Sequence, residues 1–292
     1  MNYPQLKNKV CWITGASSGI GAALALRLNQ WEAQVIVSSR NPEQLQALKD
    51  RCAHPERIHI VPCDLEVLST LPEMTSLAWN AFGSIDYVFL NAGIAVRDMV
   101  EKTDLTLIRK VMDINFLSNV VISKSLLPLM LERGGGHFVV TSSLSGKFGI
   151  PKLSAYAASK HALHGFYESL RAEYGNQGLR VTMAIVGLVR TNITLNALQG
   201  DGSVYGKMHE SVANGITPDK CAQGIIRGAV KGRREVLVGG VEKYSVIVKR
   251  LFPGLHATLI ARHSVRRLRN AGLAVKVFFQ RMFFIRKPER TV

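Results

Sequence analysis

The chain has 292 residues, of which 47% are hydrophobic, so it can bury one large core or two small ones. Its four cysteines are scattered, without paired spacing or a histidine cluster, which argues against a zinc site or a disulfide framework. The segment from Met1 to Lys9 is polar and does not have the form of a secretory signal. We therefore expect a metal-free cytoplasmic protein of a reducing compartment.

The net charge of +16 is concentrated at one end of the chain. Residues 231–292 contain 15 Lys and Arg against 3 Asp and Glu, whereas the preceding 230 residues contain 22 against 18. Such an asymmetry indicates an anionic partner, which is either a membrane lipid surface or a nucleic acid.

The first predicted elements are a strand, a glycine-rich turn and a helix. An apolar run at 10–13 precedes T-G-A-S-S-G-I-G at 14–21, and apolar residues at helical spacing follow. A dinucleotide-binding turn requires this context, with the pyrophosphate at the helix N-terminus. A glycine turn without function is the alternative, and the flanking strand and helix make it the weaker one. The predicted cofactor contacts in the turn are Gly15, Ser17, Ser18, Gly19, Ile20 and Gly21.

The end of the second predicted strand, at 34–39, indicates which nicotinamide cofactor binds. NAD sites carry an Asp or Glu there for the ribose 2′-hydroxyl, whereas NADP sites present an Arg to the 2′-phosphate. The sequence here is Ser38-Ser39-Arg40, without a carboxylate. Arg40 can fork onto a phosphate and Ser39 adds a hydroxyl, so NADP(H) is favoured over NAD(H). The alternative is that Arg40 is an ordinary exposed residue at a strand end.

Beyond this point, strands alternate with helical patterns. Further strands are predicted at residues 58–62, 85–90, 137–141, 180–186 and 235–238. Helices are predicted at residues 42–52, 72–82, 104–133 and 154–176. The alternation implies right-handed crossovers and an α/β fold with a doubly wound parallel sheet, the Rossmann fold. We assign it to a single domain at residues 1–240, followed by a basic helical C-terminal extension at 241–292.

Polar residues follow the strands at their carboxyl ends, where ligands bind in such sheets. They are Asp64 with Leu65, Asn91 with Ala92 and Gly93, Ser142 with Ser143, and the segment from Gly187 to Thr191. The helix at 104–133 adds Asn115, an amide within an apolar stretch. This residue either distorts the helix for a functional reason or caps a turn.

Tyr156 and Lys160 are four residues apart and therefore share one face of a helix. A phenol has a pKa of about 10, and a neighbouring ammonium lowers that pKa by favouring the phenolate. The Ser143 hydroxyl can then share the substrate oxygen that Tyr156 protonates. Tyr and Lys are common on solvated helix faces, so the spacing alone is a weak signal. Because this pair and the cofactor turn are both expected at the same edge of the sheet, a catalytic pair is favoured.

Together these motifs resemble the short-chain dehydrogenase/reductase family over residues 8–240. The matching motifs are T-G-A-S-S-G-I-G at 14–21, Asp64-Leu65, Asn91-Ala92-Gly93, Asn115, Ser143 and Y-A-A-S-K at 156–160. Segments 112–118 and 142–147 are more weakly similar to the branch that contains the 11β-hydroxysteroid dehydrogenases. The family usually has Pro-Gly after the sixth strand, whereas this chain has Val186-Gly187, which predicts a looser turn.

The resemblance implies a role for each matching residue. Tyr156 is the expected general acid or base, Lys160 lowers its pKa and binds the nicotinamide ribose, and Ser143 holds the substrate oxygen. Asn115 is expected to position a water that links Lys160 to solvent. The remaining expected cofactor contacts are Asp64 and Leu65 at the adenine, Asn91, Ala92 and Gly93 along the adenosine ribose and its phosphate, and Gly187, Val189 and Thr191 beside the carboxamide.

These roles imply an NADP(H)-dependent oxidoreductase that interconverts a ketone or aldehyde and an alcohol. Apolar residues in the irregular segment 192–215 (Ile193, Leu195, Leu198 and Val204) either contact a hydrophobic substrate or pack on the core. The resemblance also implies a homodimer or homotetramer, paired through the helices at 104–133 and 154–176. The alternative function is a catalytically idle NADP(H) sensor that docks on a partner or a membrane.

The basic extension has a moderately amphipathic helical pattern at residues 262–282, with apolar residues on one face and arginines on the other. Phe-rich clusters beside Arg and Lys are typical of a segment that lies in a membrane interface. No window of 18 uncharged apolar residues is present, so a transmembrane span is not expected. The helix either binds an anionic membrane, on its inner face, or packs on the protein or a twin subunit. Nucleic-acid binding is the least favoured reading, because no recognised nucleic-acid module accompanies the arginines.

Overall fold

The structure is a computed structural model, and it describes residues 3–262. Seven strands form one sheet: β1 (Val10–Thr14), β2 (Gln34–Ser38), β3 (Ile58–Ile60), β4 (Tyr87–Leu90), β5 (Gly136–Ser143), β6 (Leu179–Val186) and β7 (Glu235–Val238). Their order is β3-β2-β1-β4-β5-β6-β7, and all neighbours are parallel. The predicted doubly wound parallel sheet is confirmed. The strand order reverses between β1 and β4, which is where ligands bind in such folds.

Helices connect the strands on both faces of the sheet. They are α1 (Gly19–Gln30), α2 (Pro42–Lys49), α3 (Leu71–Asn80), α4 (Leu105–Met112), α5 (Ser118–Glu132), α6 (Ser154–Tyr174), α7 (Glu210–Ala213), α8 (Pro218–Val230), α9 (Ser245–Leu251) and α10 (Pro253–Arg262). The start of α8 is fixed by its cap, because the Thr217 side chain accepts a hydrogen bond from the backbone N–H of Lys220 and Pro218 occupies the first turn.

Alternate residues of each central strand contribute to two apolar layers. Ile13 and Val139 belong to the layer that includes apolar residues of α1 and α8. Trp12 and Val140 belong to the layer that includes apolar residues of α3, α5 and α6. The strands are buried on both faces, which explains their nearly continuous apolar sequence.

The strand β5 is longer than its pattern predicts. It runs to Ser143, because Ser142 and Ser143 pair with Ile185 and Val186 of β6. The predicted strand ended at Thr141, where the β-branched run stops, but pairing with a neighbour keeps polar residues in the sheet as well. Ser143 is therefore held by regular backbone up to the edge of the sheet.

The helices α4 and α5 are joined by a single π-helical turn at Asp113–Leu117, which contains Asn115. Of the two readings of Asn115, the distorted helix is the one observed, and such turns are frequent at functional sites. The combined helix Leu105–Glu132 is the one helix among residues 3–262 that is long and apolar enough to cross a membrane. Its residues Ile122, Leu126 and Met130 are buried in the core, which accounts for that composition.

The chain divides into a unit that ends at Lys243 and a second unit that begins at Tyr244. The described part of the second unit consists of α9 and α10. The predicted amphipathic helix at 262–282 and the Phe clusters after it fall almost wholly outside the described residues. The assignment of the domain boundary to residues 240 and 241 stays a prediction.

Candidate active site

A cavity of about 880 Å³ opens at the carboxyl ends of the strands. Its lining includes the predicted residues Gly15, Ser17, Ser18, Gly19, Ile20, Ser39, Arg40, Asp64, Leu65, Asn91, Ala92, Gly93, Ser143, Tyr156, Lys160, Gly187, Val189 and Thr191. Two other predicted site residues, Gly21 and Asn115, lie behind this lining. The sheet therefore brings residues that are up to 176 positions apart in the chain to one surface.

The turn between β1 and α1 requires glycine, because a side chain at either of two positions would clash with neighbouring backbone. Gly15 has φ +67°, and a Cβ there would lie 2.8 Å from Ala92 Cα. A Cβ on Gly21 would lie 2.1 Å from the carbonyl oxygen of Gly15. The Ser18 side chain makes no capping hydrogen bond to α1, so it does not satisfy the N–H groups of the first helical turn. These features fit the pyrophosphate of a dinucleotide.

The end of β4 is attached to β1 through Thr14, which belongs to the predicted motif but to which the sequence assigned no role. The Thr14 hydroxyl accepts hydrogen bonds from the backbone N–H groups of Asn91, at 3.1 Å, and Ala92, at 3.3 Å. The Asn91 amide donates to the carbonyl of Thr14 at 3.3 Å, and its oxygen accepts from the Thr141 hydroxyl at 3.3 Å. Asn91 therefore joins three neighbouring strands at the floor of the cavity.

Asn115 is fully buried, and its amide is used within the protein. The side chain donates to the carbonyl of Ile94 at 2.9 Å and accepts from the N–H of Ile94 at 2.8 Å. It also donates to the Ser159 hydroxyl at 3.0 Å. Asn115 thus connects the segment after β4 to α6, one residue from Lys160. Its role in holding a water stays a prediction.

Tyr156 and Ser143 lie together at the centre of the cavity. Burial raises the pKa of the Tyr156 phenol, and a hydrogen bond with the Ser143 hydroxyl opposes this increase. The Ser143 oxygen also accepts from the backbone N–H of Ser145 at 3.1 Å, within the turn that follows β5. Tyr156 is therefore a protonated phenol that already shares a hydrogen bond with the predicted substrate-binding hydroxyl.

Lys160 reaches the same place from the next turn of α6. Its Nζ donates to the carbonyl of Thr141 at 2.9 Å and lies 5.7 Å from the centre of the Tyr156 ring. Burial lowers the pKa of the Lys160 ammonium to about 8. The expectation that Lys160 lowers the pKa of Tyr156 stays a prediction; in this structure the Ser143 hydrogen bond already opposes the effect of burial on that pKa. The ammonium is directed at a backbone carbonyl and the ring is well beyond hydrogen-bond distance.

This arrangement matches the expected catalytic set of a large family, and comparison with known proteins agrees. A model of the family described as short chain dehydrogenase matches residues 9–201. The chain belongs to the short-chain dehydrogenase family.

Named relatives support the same assignment. The enzyme is 38% identical over 275 residues to a Drosophila melanogaster dehydrogenase/reductase SDR family protein 7-like, a match that covers 91% of this chain and 83% of the relative. It is 35% identical over 266 residues to dehydrogenase/reductase SDR family member 7B of Danio rerio, covering 88% and 86%. This short-chain dehydrogenase is therefore an oxidoreductase.

Solved structures share the fold. A short-chain dehydrogenase from Streptomyces avermitilis superposes with a TM-score of 0.73 at 27% identity, covering 86% of this chain and 94% of that one. A short chain dehydrogenase/reductase from Burkholderia phymatum in complex with NAD superposes with a TM-score of 0.75 at 20% identity, covering 86% and 95%. At that identity, the second comparison concerns the fold alone.

In this short-chain dehydrogenase the turn after β6 is held by Glu242, which sequence reasoning missed. The Glu242 carboxylate accepts from the backbone N–H groups of Leu188 and Gly240, each at 2.9 Å. A Cβ at Gly187 would lie 2.4 Å from that carboxylate. The absence of the usual proline predicted a looser turn, but two hydrogen bonds to one carboxylate restrain it instead. Val189 and Thr191 follow directly on this restrained backbone.

At the adenosine end of the cavity, Ser39 and Arg40 lie where the sequence predicted them, and Glu43 of α2 also lines the wall. Sequence reasoning considered only the strand end and did not include this carboxylate. The first turn of α2 brings Glu43 back to the cavity, because Asn41 caps the helix by accepting from the N–H of Gln44 at 2.9 Å.

In the segment 192–215, one apolar residue lines the cavity, a second packs on the core and a third does neither. Ile193 lines the cavity, whereas Leu198 packs on a small core cluster with Val96 and Val111. Val204 is 62% exposed. Position in the fold decides between them, since Leu198 pairs with Val96 through an isolated bridge and is thereby drawn into the core.

Proposed function

We propose that this short-chain dehydrogenase interconverts a ketone or aldehyde and an alcohol, with NADP(H) as the hydride carrier and Tyr156 as the general acid or base. The observation that carries the proposal is the shared cavity, in which Tyr156, Ser143 and Lys160 lie beside the glycine turn. A reduced nicotinamide supplies hydride to the carbonyl carbon. The protein must supply the proton, an orienting hydrogen bond and a positive charge nearby.

The three side chains divide this work. The Ser143 hydroxyl donates to the substrate oxygen and so orients the carbonyl. The Tyr156 phenol then gives its proton to that oxygen as negative charge develops there, and in the reverse direction the phenolate accepts a proton from the alcohol. The Lys160 ammonium stabilises the phenolate that proton transfer creates. Burial keeps the phenol protonated beforehand, which suits the reductive direction.

The test is steady-state turnover of Tyr156→Phe on a panel of ketones and aldehydes. We expect a loss of roughly 10²–10⁴-fold in kcat with NADPH affinity nearly unchanged, since general acid catalysis contributes about that much. Tyr174→Phe is the matched control, because it makes the same change on the same helix away from the cavity. Undiminished turnover of Tyr156→Phe would refute the assignment. Binding of NADPH by the wild type without turnover of any carbonyl would favour the idle sensor.

The preference for NADP(H) rests on Arg40, which follows the end of β2 and lines the cavity. Glu43 lies on the same wall and opposes a phosphate there, so the two residues allow a paired experiment. Arg40→Leu should weaken NADPH binding and leave NADH binding nearly unchanged, because only NADPH carries the 2′-phosphate. Glu43→Gln should strengthen NADPH binding. Tighter binding of NADH than NADPH by the wild type would overturn the proposal.

The substrate is proposed to be hydrophobic. Ile94, Leu188, Ile193 and Val212 line the cavity together with the catalytic residues, and apolar walls of this kind favour apolar ligands. Across a series of methyl ketones of increasing chain length, kcat/KM should rise with length in the wild type. Ile193→Asn should flatten that rise, and a preference for short polar ketones would contradict the proposal.

We also propose that the second unit binds the anionic surface of a membrane, on its cytoplasmic face. Within α9, α10 and the residues flanking α9, the apolar residues Tyr244, Ile247, Leu251, Phe252 and Leu255 are 37–56% exposed. Lys249 and Arg250 lie in the last turn of α9, and the sequence beyond is strongly basic. Exposed apolar and basic residues on short helices are the combination that anionic lipid interfaces attract.

Vesicle flotation of the full-length protein tests this proposal. The protein should float with phosphatidylserine-containing vesicles and much less with pure phosphatidylcholine. Ile247→Asp with Leu251→Asp should abolish flotation, whereas Val100→Asp with Val204→Asp, at positions 66% and 62% exposed, should retain it. Equal behaviour of the two double variants would refute membrane binding through this unit.

Pairing of subunits is proposed through the combined helix 105–132 and α6. Phe116 and Phe166 make an edge-to-face contact between these helices, and both side chains remain partly exposed beside the exposed Leu117. Light scattering should give a dimer or tetramer, and Leu117→Glu should shift it towards the monomer. A monomeric wild type at micromolar concentration would contradict the proposal.

A further inference from the structure

The helix α6 carries a row of polar side chains that continues beyond the catalytic pair. Tyr156, Lys160, His164 and Glu168 are each four residues apart and therefore share one face. Tyr156 and Lys160 reach the cavity, but His164 faces the sheet one turn further along. His164 is 7% exposed, and its Nε2 lies 2.9 Å from the hydroxyl of Ser142.

Ser142 immediately precedes the catalytic Ser143 and is 2% exposed. The turn from Leu144 to Gly146 closes directly over the Ser142–His164 pair: a Cβ at Gly146 would lie 2.5 Å from the Ser142 hydroxyl oxygen and 3.1 Å from His164 Nε2. That same turn provides the N–H of Ser145, which donates to the Ser143 hydroxyl. The position of the Ser143 oxygen therefore depends on backbone that is packed on His164.

The surroundings of the other ring nitrogen, Nδ1, decide which of the two nitrogens of His164 carries the proton. His164 Nδ1 lies 3.7 Å from a carboxylate oxygen of Glu235 and 3.9 Å from one of Glu168. His164 Nδ1 is buried and makes no hydrogen bond to the described residues, but the negative charges of Glu235 and Glu168 at these distances favour the proton on Nδ1. Nε2 is then the acceptor for the Ser142 hydroxyl. Burial, aided by the nearby Lys147 ammonium, lowers the pKa of His164 to about 4, so the ring is neutral.

His164, Glu168 and Glu235 lie close enough together to be ligands for a cation, but their surroundings argue against a metal site. The Lys147 ammonium already occupies the Glu235 carboxylate through a salt bridge. A divalent ion would have to displace that ammonium. We therefore assign no metal ion to this cluster. Its two carboxylates instead favour one tautomer of the neutral His164 ring.

We propose that His164 is a positioning residue that fixes the Ser143 hydroxyl by accepting a hydrogen bond from Ser142. This inference rests on the proposed function for its kinetic consequence. Its structural consequence, an ordered turn from Leu144 to Gly146, is independent of any activity.

The kinetic test compares three variants of one position. Gln places an oxygen near the position of the histidine Nε2, whereas Asn is shorter by one methylene and reaches only as far as Nδ1. We expect His164→Leu and His164→Asn to lower kcat by about tenfold, as a misplaced catalytic group does, with the KM for NADPH unchanged. His164→Gln should recover most of the loss. Equal effects of Gln and Asn would overturn the atom-specific role.

His137 provides the matched control, at the opposite end of β5. It is 4% exposed, and its Nε2 lies 2.9 Å from the Thr182 hydroxyl. This buried contact has the same length, but here the ring nitrogen donates, because the Thr182 hydroxyl donates its proton to the carbonyl of Arg233. His137→Leu should lower the unfolding temperature as His164→Leu does and leave kcat unchanged. If the two Leu variants lower kcat equally, His164 is a structural residue and the proposal fails.

Amide hydrogen exchange of the full-length protein gives the readout that needs no substrate. His164→Leu should accelerate exchange at Ser145 and its neighbours by about tenfold or more over the wild type, and His137→Leu should not. Unchanged exchange at Ser145 would overturn the inference even if turnover were lost. Accelerated exchange in a protein without carbonyl turnover would support the inference while the proposed function fails.

Discussion

The two ends of the sheet use polar residues in opposite ways. At the amino end, Asp86 accepts from the N–H of Val10 at 2.9 Å and from Lys9 at 3.0 Å. His137 contacts the Thr182 hydroxyl, which itself donates to the carbonyl of Arg233 at 2.6 Å. Each of these groups is satisfied by another part of the protein, so the amino end is a closed structural network.

At the carboxyl end, the corresponding groups face a cavity. The side chain of Ser18 does not cap α1, and the lining residues Arg40, Tyr156 and Thr191 border about 880 Å³ of open space. The groups behind the lining, such as Thr14, Asn115 and Glu242, resemble those of the amino end because they bond backbone amides. The difference shows that the site has two layers. Side chains that face the cavity can bind a ligand, and the side chains behind them, whose hydrogen bonds are made within the protein, hold them in place.

Of the substitutions proposed, Gly15→Ala should have the largest effect on cofactor binding at the carboxyl end of the sheet. The new Cβ would lie 2.8 Å from Ala92 Cα in the floor of the cavity, so the turn must move. Overpacking of this kind costs about 1–3 kcal/mol, and we expect cofactor affinity measured by calorimetry to fall by about 10–100-fold. Gly83→Ala is the control, since Gly83 has a similar φ of +71° with nothing within 4 Å. It should cost only about 1 kcal/mol of stability. Unchanged affinity in Gly15→Ala would show that the turn tolerates a side chain.

The pH dependence of carbonyl reduction should report Lys160. Its pKa is lowered to about 8, so the ammonium is present below pH 8 and is lost above it. Because the ammonium stabilises the phenolate, kcat/KM should fall about tenfold per pH unit above roughly pH 8. Lys160→Arg remains charged and should lack this decline, even if its activity is lower throughout. A wild-type profile that rises through pH 9 would contradict the assignment.

Asp86→Ala should have the smallest effect on the site. It removes two hydrogen bonds at the amino end, and we expect a loss of about 1–3 kcal/mol in the free energy of unfolding. Denaturant titration measures this loss, while kcat and NADPH affinity should stay within about twofold of the wild type. A large change in either kinetic value would show that the two ends of the sheet are coupled.

Much of this site could be predicted from the sequence because the relevant signals are local. The strand, glycine turn and helix at 10–31 and the Tyr156–Lys160 spacing depend on residues within one or two turns of each other. The doubly wound parallel sheet followed from the alternation of strands with helices, whereas the order of the strands in the sheet was not predicted. Strand ends were less reliable, as β5 shows, because pairing with β6 extends it through Ser143.

The contacts that hold the site together could not be found in this way. Thr14 and Asn91 are 77 positions apart, and Leu188 and Glu242 are 54 apart, so no local pattern connects them. The pKa values of Tyr156 and Lys160 also depend on burial, which the spacing of two residues does not report. Burial raises the pKa of Tyr156 and the Ser143 hydrogen bond opposes this increase, and the pattern Y-x-x-x-K shows neither effect.

The sequence by itself determined the fold class, the glycine turn and many of the residues that line the cavity, because each is encoded by short-range spacing and by the ends of strands. Only the tertiary structure decided how those residues are held. Glu242 restrains the turn after β6, the Asn115 amide bonds the backbone of Ile94, and His164 lies within hydrogen-bond distance of Ser142. Each contact exists because folding brings distant groups together. Such contacts stabilise the site through burial and geometry, which exist only once the chain has packed.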